Sequence, residues 1–153
     1  MQPIDLIDHP EGGRFREVFR STARVTTGAG ENRSALTHIY FELRRGEVSR
    51  FHRVRSDEVW NLYQGDGLRL VTWNGTEKAP ISTELSVAAQ CFCAVVPAGH
   101  WQAAEPIGDG VLVGCSVGPG FEFGDFELMA PGSEEAEWLR SVEEGMGRFT
   151  GSG

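Results

Sequence analysis

Hydrophobic and polar residues alternate in several short stretches of the chain, as they do in half-buried β-strands. The clearest stretch is residues 36–43 (LTHIYFEL), where hydrophobic side chains recur at every second position. The same pattern, or a short apolar run, predicts further strands at residues 14–20, 47–54, 58–63, 68–73, 91–96 and 111–117. Residues 22–33 are polar and contain glycine, which predicts a loop. Short strands at near-regular spacing predict an all-β antiparallel sandwich or barrel.

The C-terminal segment has a different period and predicts one helix over about residues 133–146. Ser133 is a suitable N-cap and is followed by acidic residues that favour the positive end of the helix dipole. Leu139, Val142 and Met146 recur at helical spacing. Gly145 and Gly147 mark the end of the helix, which we expect to cover one flank of the barrel.

The amino-acid composition indicates which class of protein this is. A chain of 153 residues with 40% hydrophobic and 24% charged residues suits one soluble domain over residues 1–153. The net charge of −8 and the isoelectric point near 5.0 disfavour nucleic acid and anionic membranes as partners. An odd count of three cysteines without a secretion signal predicts a reducing, cytoplasmic location.

Two spaced motifs carry the chemistry. Gly46 is followed after five residues by His52, then by Glu58 and by Gly65. A second motif, Pro-x-Gly-x-x-Gln, runs from Pro97 to Gln102. Both resemble the motifs of the cupin superfamily, in the same order along the chain, except that Gln102 stands where the second motif ends in histidine.

The resemblance extends to one branch of that superfamily, the fifth cupin domain family. Its signature stretches correspond here to residues 9–20, 39–43, 49–60, 95–104 and 117–128. The resemblance implies a small jelly-roll β-barrel over about residues 9–128, and commonly a homodimer, which we expect to form by sheet-to-sheet contact. It implies no particular reaction.

A typical metal-binding cupin would place its ligands at four positions of these motifs. Here those positions hold His52, Val54, Glu58 and Gln102. One imidazole, one carboxylate and one neutral amide fall below the usual set of three good donors for a transition metal. A divalent metal on His52, Glu58 and Gln102 therefore stays open as the weaker alternative, with a metal-dependent oxygenase as its function.

The same residues suit chemistry without a required cofactor. His52 and Glu58 in a mostly apolar pocket form a candidate acid/base pair, because burial raises the pKa of a carboxyl and lowers that of an imidazole toward neutrality. This predicts an isomerase, cyclase or lyase acting on a small molecule, and we expect a role in specialised metabolism. A third possibility is a barrel interior in which these groups only hydrogen-bond, within a protein that binds a small molecule without chemistry.

Candidate substrate-binding residues surround this pair in the sequence. Trp60 and Leu62 share a strand face with Glu58. An aromatic wall of this kind would suit a planar or ring-bearing substrate. The predicted substrate-binding set is Gln102, Trp60, Leu62, Tyr40, His38, Tyr63, Phe51 and Trp101.

His38 has two interpretations. It shares a strand face with Tyr40, so it is a second acid/base candidate if that face lines the cavity. If the face meets a dimer partner, His38 is a hydrogen-bonded interface residue, which is the more common situation for a polar strand face. His9, in the stretch His-Pro-Glu-Gly-Gly, is interpreted as part of a turn that starts the first strand.

Overall fold

The computed structural model describes residues 5–76 and 78–151 and is built mainly from antiparallel strands. The first seven strands are β1 (Ile7–Asp8), β2 (Arg14–Arg20), β3 (Arg24–Thr26), β4 (Asn32–Ser34), β5 (Thr37–Arg44), β6 (Ser49–Val54) and β7 (Asp57–Gly65). The other six are β8 (Leu68–Trp73), β9 (Ile81–Leu85), β10 (Cys93–Val96), β11 (Trp101–Pro106), β12 (Gly110–Gly118) and β13 (Phe126–Leu128).

The strands form two main sheets that face each other. One sheet has the order β1-β2-β5-β12-β7-β10 and the other has the order β13-β6-β11-β8-β9. Side chains at alternate positions of both sheets fill the space between them, as strand geometry requires. This interior core includes Phe41, Leu43, Trp60, Leu70 and Val113, each at most 1% exposed. The predicted all-β antiparallel architecture is confirmed.

The predicted loop at residues 22–33 is wrong in part, because β3 and β4 pair there as a small separate hairpin. Its side chains are mostly polar, so no hydrophobic alternation marks these two strands. The pattern also failed to predict β1, β9, β11 and β13. Strand β11 carries Gln102, one of the candidate site residues.

Two short helices follow the strands where one helix is predicted. Helix α1 (Glu134–Val142) begins after Ser133, whose hydroxyl accepts a hydrogen bond from the backbone N–H of Ala136. The chain leaves the helix at Glu143, and α2 (Gly147–Thr150) starts after Gly145, whose φ of +90° suits glycine. Neither helix, and no other helix in the described ranges, has the length and apolarity needed to cross a membrane.

The helices cover the outer side of the five-stranded sheet. Leu139, Met146 and Phe149 are fully buried there against sheet residues such as Phe51. Val142, predicted on the same helix face, is 45% exposed instead. A second hydrophobic core therefore lies outside the barrel, separate from the interior core that surrounds the candidate site.

Candidate functional site

A small, partly enclosed cavity lies between the two sheets. Strand β6 contributes His52 and Val54 to its wall, and β7 contributes Glu58. The remaining lining residues are His9, Glu11, Phe15, Thr37, Ile39, Val117, Phe121 and Phe126. The free volume of the cavity is about 30 Å³, and it is about 390 Å³ when the opening to solvent is included. The cavity therefore suits a small molecule, or one small group of a larger molecule.

Glu58 heads a chain of hydrogen bonds that leads into the core. Its Oε1 accepts a bond of 2.9 Å from Nε2 of Gln102, and Oε1 of Gln102 accepts a bond of 2.7 Å from the indole N–H of Trp60. An indole nitrogen can only donate, so the amide oxygen of Gln102 must face Trp60 and its NH₂ must face Glu58. Gln102 therefore acts on Glu58 as a donor.

Opposing effects set the acidity of Glu58. Burial raises the pKa of its carboxyl to about 7, against the lowering effect of the hydrogen bonds from Gln102 and Cys115. Glu58 is only 7% exposed to solvent. At neutral pH, this carboxyl is therefore close to half-ionised, as a group that both takes and returns protons should be.

His52 has one ring nitrogen bound to the protein and one left for the cavity. Its Nδ1 lies 2.7 Å from the carbonyl oxygen of Arg50, which can only accept, so Nδ1 carries the proton and Nε2 a lone pair. Burial lowers the pKa of His52 to about 4. This pKa lies well below neutrality, and not near it as predicted. The ring is therefore an uncharged hydrogen-bond acceptor, and it stacks on the ring of Phe126 with the two ring centres 5.4 Å apart.

His9 and Glu11 belong to the cavity and were not predicted there. Oε1 of Glu11 lies 3.1 Å from Nδ1 of His9, and Oε2 of Glu11 lies 3.1 Å from Nδ1 of His52. The hydroxyl of Ser49 also donates to Oε2. One carboxyl thus connects both imidazoles. The turn predicted at His9 is present, since the backbone N–H of Gly12 donates to the carbonyl oxygen of His9, but His9 is also only 8% exposed and its ring lies among phenyl rings.

Burial dominates the acidity of both unpredicted groups. It lowers the pKa of His9 to about 3, with a further lowering from His52. It raises the pKa of Glu11 well above the usual range, although the bond from Ser49 opposes this shift. The raised pKa favours the neutral carboxylic acid, which can donate to His9 through Oε1 and accept from His52 at Oε2.

The signal that could have found these residues is the glycine pair that follows them. Gly12 has φ of +114°, and a Cβ there would collide with the carbonyl oxygen of Val48. Only glycine lets the chain pass this close to β6 with a positive φ. The close approach turns the side chains of His9 and Glu11 toward the inside of the barrel, so the stretch His-Pro-Glu-Gly-Gly is a cavity-forming element.

The predicted substrate-binding residues lie outside the cavity wall. Gln102 is behind Glu58, and Trp60 and Leu62 continue the interior core along the barrel. Phe51 and Trp101 belong to the second core, on the helix side of the five-stranded sheet. The strand parity of Trp60 and Leu62 is as predicted, but the expected aromatic wall is wrong, because the rings nearest the site are Phe15, Phe121 and Phe126.

His38, Tyr40 and Tyr63 lie on the outer face of the six-stranded sheet, so they do not reach the cavity. Nδ1 of His38 is 2.8 Å from the hydroxyl of Ser116, and Nε2 is 2.8 Å from the hydroxyl of Tyr63. Tyr40 and Tyr63 contact edge to face at 5.9 Å. Of the two interpretations of His38, the geometry supports a hydrogen-bonded residue of a sheet face.

The donor set does not fit a metal ion. Within residues 5–76 and 78–151, no three His, Cys, Asp or Glu side chains are placed to hold one. The oxygen of Gln102 is directed at Trp60, and Val54 offers no donor atom. Glu58 and Gln102 instead share a hydrogen bond, and His52 contacts the carbonyl of Arg50 and the carboxyl of Glu11.

Several proteins of known structure are similar to this chain. A protein from Shewanella oneidensis of known structure is 32% identical, with 95% of this chain and 90% of that chain covered and a TM-score of 0.80. A hypothetical protein from Leishmania major is 26% identical, with 94% and 90% covered and a TM-score of 0.79. Oxalate decarboxylase of Bacillus subtilis shares the fold at 15% identity, with 80% and 29% covered and a TM-score of 0.58. A search of the curated proteins gave no match. The family model described as Cupin superfamily (DUF985) matches residues 1–129, and the chain therefore belongs to this cupin family.

Proposed function

We propose that this protein is a small-molecule enzyme in which Glu58 transfers a proton within the barrel cavity and His52 binds the reacting group. The observation that carries this proposal is a buried carboxyl in the cavity wall whose pKa is about 7. Perturbed carboxyls that face a cleft are frequent at sites of proton transfer. Membership of the family alone supports no particular reaction, because a fold hosts many chemistries.

The two groups have separate roles. Ionised Glu58 takes a proton from a carbon next to a carbonyl group, or from a hydroxyl, and becomes the neutral acid. It then returns the proton at another atom of the substrate. Neutral His52 is a weak base because of its low pKa, so it accepts a hydrogen bond at Nε2 and orients the substrate. Proton return at a new position gives an isomerase, loss of a neighbouring group gives a lyase, and internal attack gives a cyclase.

Proton exchange tests this proposal without knowledge of the product. Small ketones and hydroxyketones are incubated in D₂O with the protein, and loss of the proton next to the carbonyl is followed by NMR. We expect exchange of at least one compound with wild-type protein and a loss of about 100-fold or more with Glu58→Gln, the range for removal of a general base. Glu84→Gln, at an exposed glutamate of β9, is the matched control and should exchange like wild type.

The outcomes separate the alternatives. Exchange that persists in Glu58→Gln rejects this residue as the base. Binding of compounds without exchange across the panel rejects the enzyme and leaves a binding protein. The likeness to oxalate decarboxylase, at 15% identity, concerns the fold and gives no support to decarboxylation here.

A further inference from the structure

The charge of the cavity wall is uneven in a way that restricts its ligand. Two carboxyls, Glu11 and Glu58, line the cavity, and no lysine or arginine of the described ranges does so. The guanidinium of Arg50, which is close enough to influence Glu11, donates to the carbonyl oxygen of Pro10 at 2.8 Å. Both lining imidazoles are uncharged at neutral pH. A negatively charged ligand would therefore lose its water without meeting a cation.

The wall also fixes the polarity of one hydrogen bond. Because Nδ1 of His52 donates to Arg50, Nε2 can only accept. The hydrogen bonds of the described residues engage Nδ1 and leave Nε2 without a protein partner. A ligand with an N–H or O–H group can donate a hydrogen bond to Nε2, whereas a carboxylate has only acceptor atoms.

The remaining wall is apolar. Phe15, Ile39, Val54, Val117, Phe121 and Phe126 form most of it. The space between them is small, so a ligand of a few non-hydrogen atoms, or one such end of a larger ligand, would fill it. The apolar area favours an uncharged guest, since moving a charge into such surroundings is costly.

We propose that the cavity binds a small uncharged group that donates a hydroxyl or amide hydrogen to Nε2 of His52, and that it excludes carboxylates. This inference rests on the proposed function for the identity of the active site and adds the class of substrate. It requires binding only, so it does not depend on proton transfer being observed.

Three probes of nearly equal size test the proposal: propionamide, propionate and butanone. The amide is uncharged and has a donor, the carboxylate is charged, and the ketone is uncharged without a donor. Each is titrated at about pH 8, where Glu58 is mostly ionised, and binding is followed by NMR of the Ile39 and Val117 methyl groups. We expect propionamide to bind best, butanone less well, and propionate at least about tenfold more weakly than propionamide.

Two variants sharpen the result. Glu58→Gln removes the ionised carboxyl and should raise the affinity for propionate several-fold. His52→Phe removes the acceptor and should abolish the advantage of propionamide over butanone. If His52→Phe fails to fold, the wild-type series and Glu58→Gln still decide the question.

Propionate binding as tightly as propionamide would overturn the inference, and so would the absence of any response from the cavity methyl groups to all three probes. The expected preference without proton exchange in the ketone panel would keep the inference and reject the proposed function. Exchange with a reversed preference would reject the inference alone.

Discussion

The buried carboxyl of Glu58 should make the stability of the protein depend on pH in a predictable direction. Its pKa is about 7 in the folded protein, against 4.5 for an ordinary glutamate. Between these values the folded state holds more protons than the unfolded state, so stability falls as the pH rises. The stabilisation is complete below about pH 4.5 and is lost as the pH passes through about 7. Each pKa unit corresponds to 1.36 kcal/mol, so the full loss is about 3 kcal/mol.

The variant Glu58→Gln isolates this effect. Glutamine keeps an oxygen that accepts the bond from Gln102 but cannot ionise. Relative to wild type, the variant should gain about 2.5 kcal/mol in free energy of unfolding between about pH 5 and about pH 8.5. His9 and His52 act in the opposite direction, because their lowered pKa values reduce stability as the pH falls below about 6.5. Both histidines remain in the variant, so their contribution cancels in the difference.

Urea unfolding, followed by tryptophan fluorescence at a series of pH values, measures this difference. Glu84→Gln is again the control, since that glutamate is exposed, and its difference from wild type should stay flat. A flat difference for Glu58→Gln, or one that shrinks as the pH rises, would refute the reasoning. It would mean that Glu58 ionises in the folded protein near the pH of an exposed carboxyl.

Three further predictions concern the rest of the molecule. Glu11→Gln should keep nearly wild-type stability, because glutamine has the same hydrogen-bond donor and acceptor as the neutral acid toward His9 and His52. Glu11→Ala should lose about 1–3 kcal/mol in free energy of unfolding, measured in urea. Equal losses in the two variants would contradict the neutral state of Glu11. Protein purified without chelator should hold clearly less than one metal ion per chain by elemental analysis, and a stoichiometric metal would overturn our interpretation of the site. We expect a homodimer through the outer face of the six-stranded sheet, where Phe19 and Val95 are 50% and 59% exposed. Light scattering should show monomers for Val95→Glu. A monomeric wild-type protein would contradict this expectation.

The sequence predicts the barrel well because hydrophobic alternation is a direct result of strands with one buried face. Residues 36–43 and β5, and residues 68–73 and β8, agree closely for this reason. Alternation is missing in β3 and β4, whose side chains are mostly polar, and so the pattern does not predict them. The apolar run at residues 91–96 is typical of a buried strand, but β10 is an edge strand whose Val95 is exposed.

Prediction of the site depends on how far apart its parts lie in the chain. His52 and Glu58 are close in sequence and sit in a spaced motif, so their meeting is predictable. Glu11 reaches His52 only because β2 and the turn before it fold back over β6, at the close approach of Gly12 to Val48. The sequence also does not decide which side of the five-stranded sheet Phe51 and Trp101 occupy. Both sides of this sheet are buried, so a hydrophobic residue fits either one.

Gln102 sets the acidity that the proposed acid/base function requires, at the position where related motifs carry a metal-binding histidine. A carboxyl as deeply buried as Glu58 would, without a donor, stay protonated far above neutrality. The amide NH₂ of Gln102, held in place because its oxygen accepts from Trp60, stabilises the ionised carboxylate and, with the hydrogen bond from Cys115, limits the rise of the Glu58 pKa to about 7. A histidine in this place would compete for a metal, and an apolar residue would leave the carboxyl too weak an acid. The neutral, oriented amide and the burial of the carboxyl together keep the pKa of Glu58 near neutrality, as the proposed function requires.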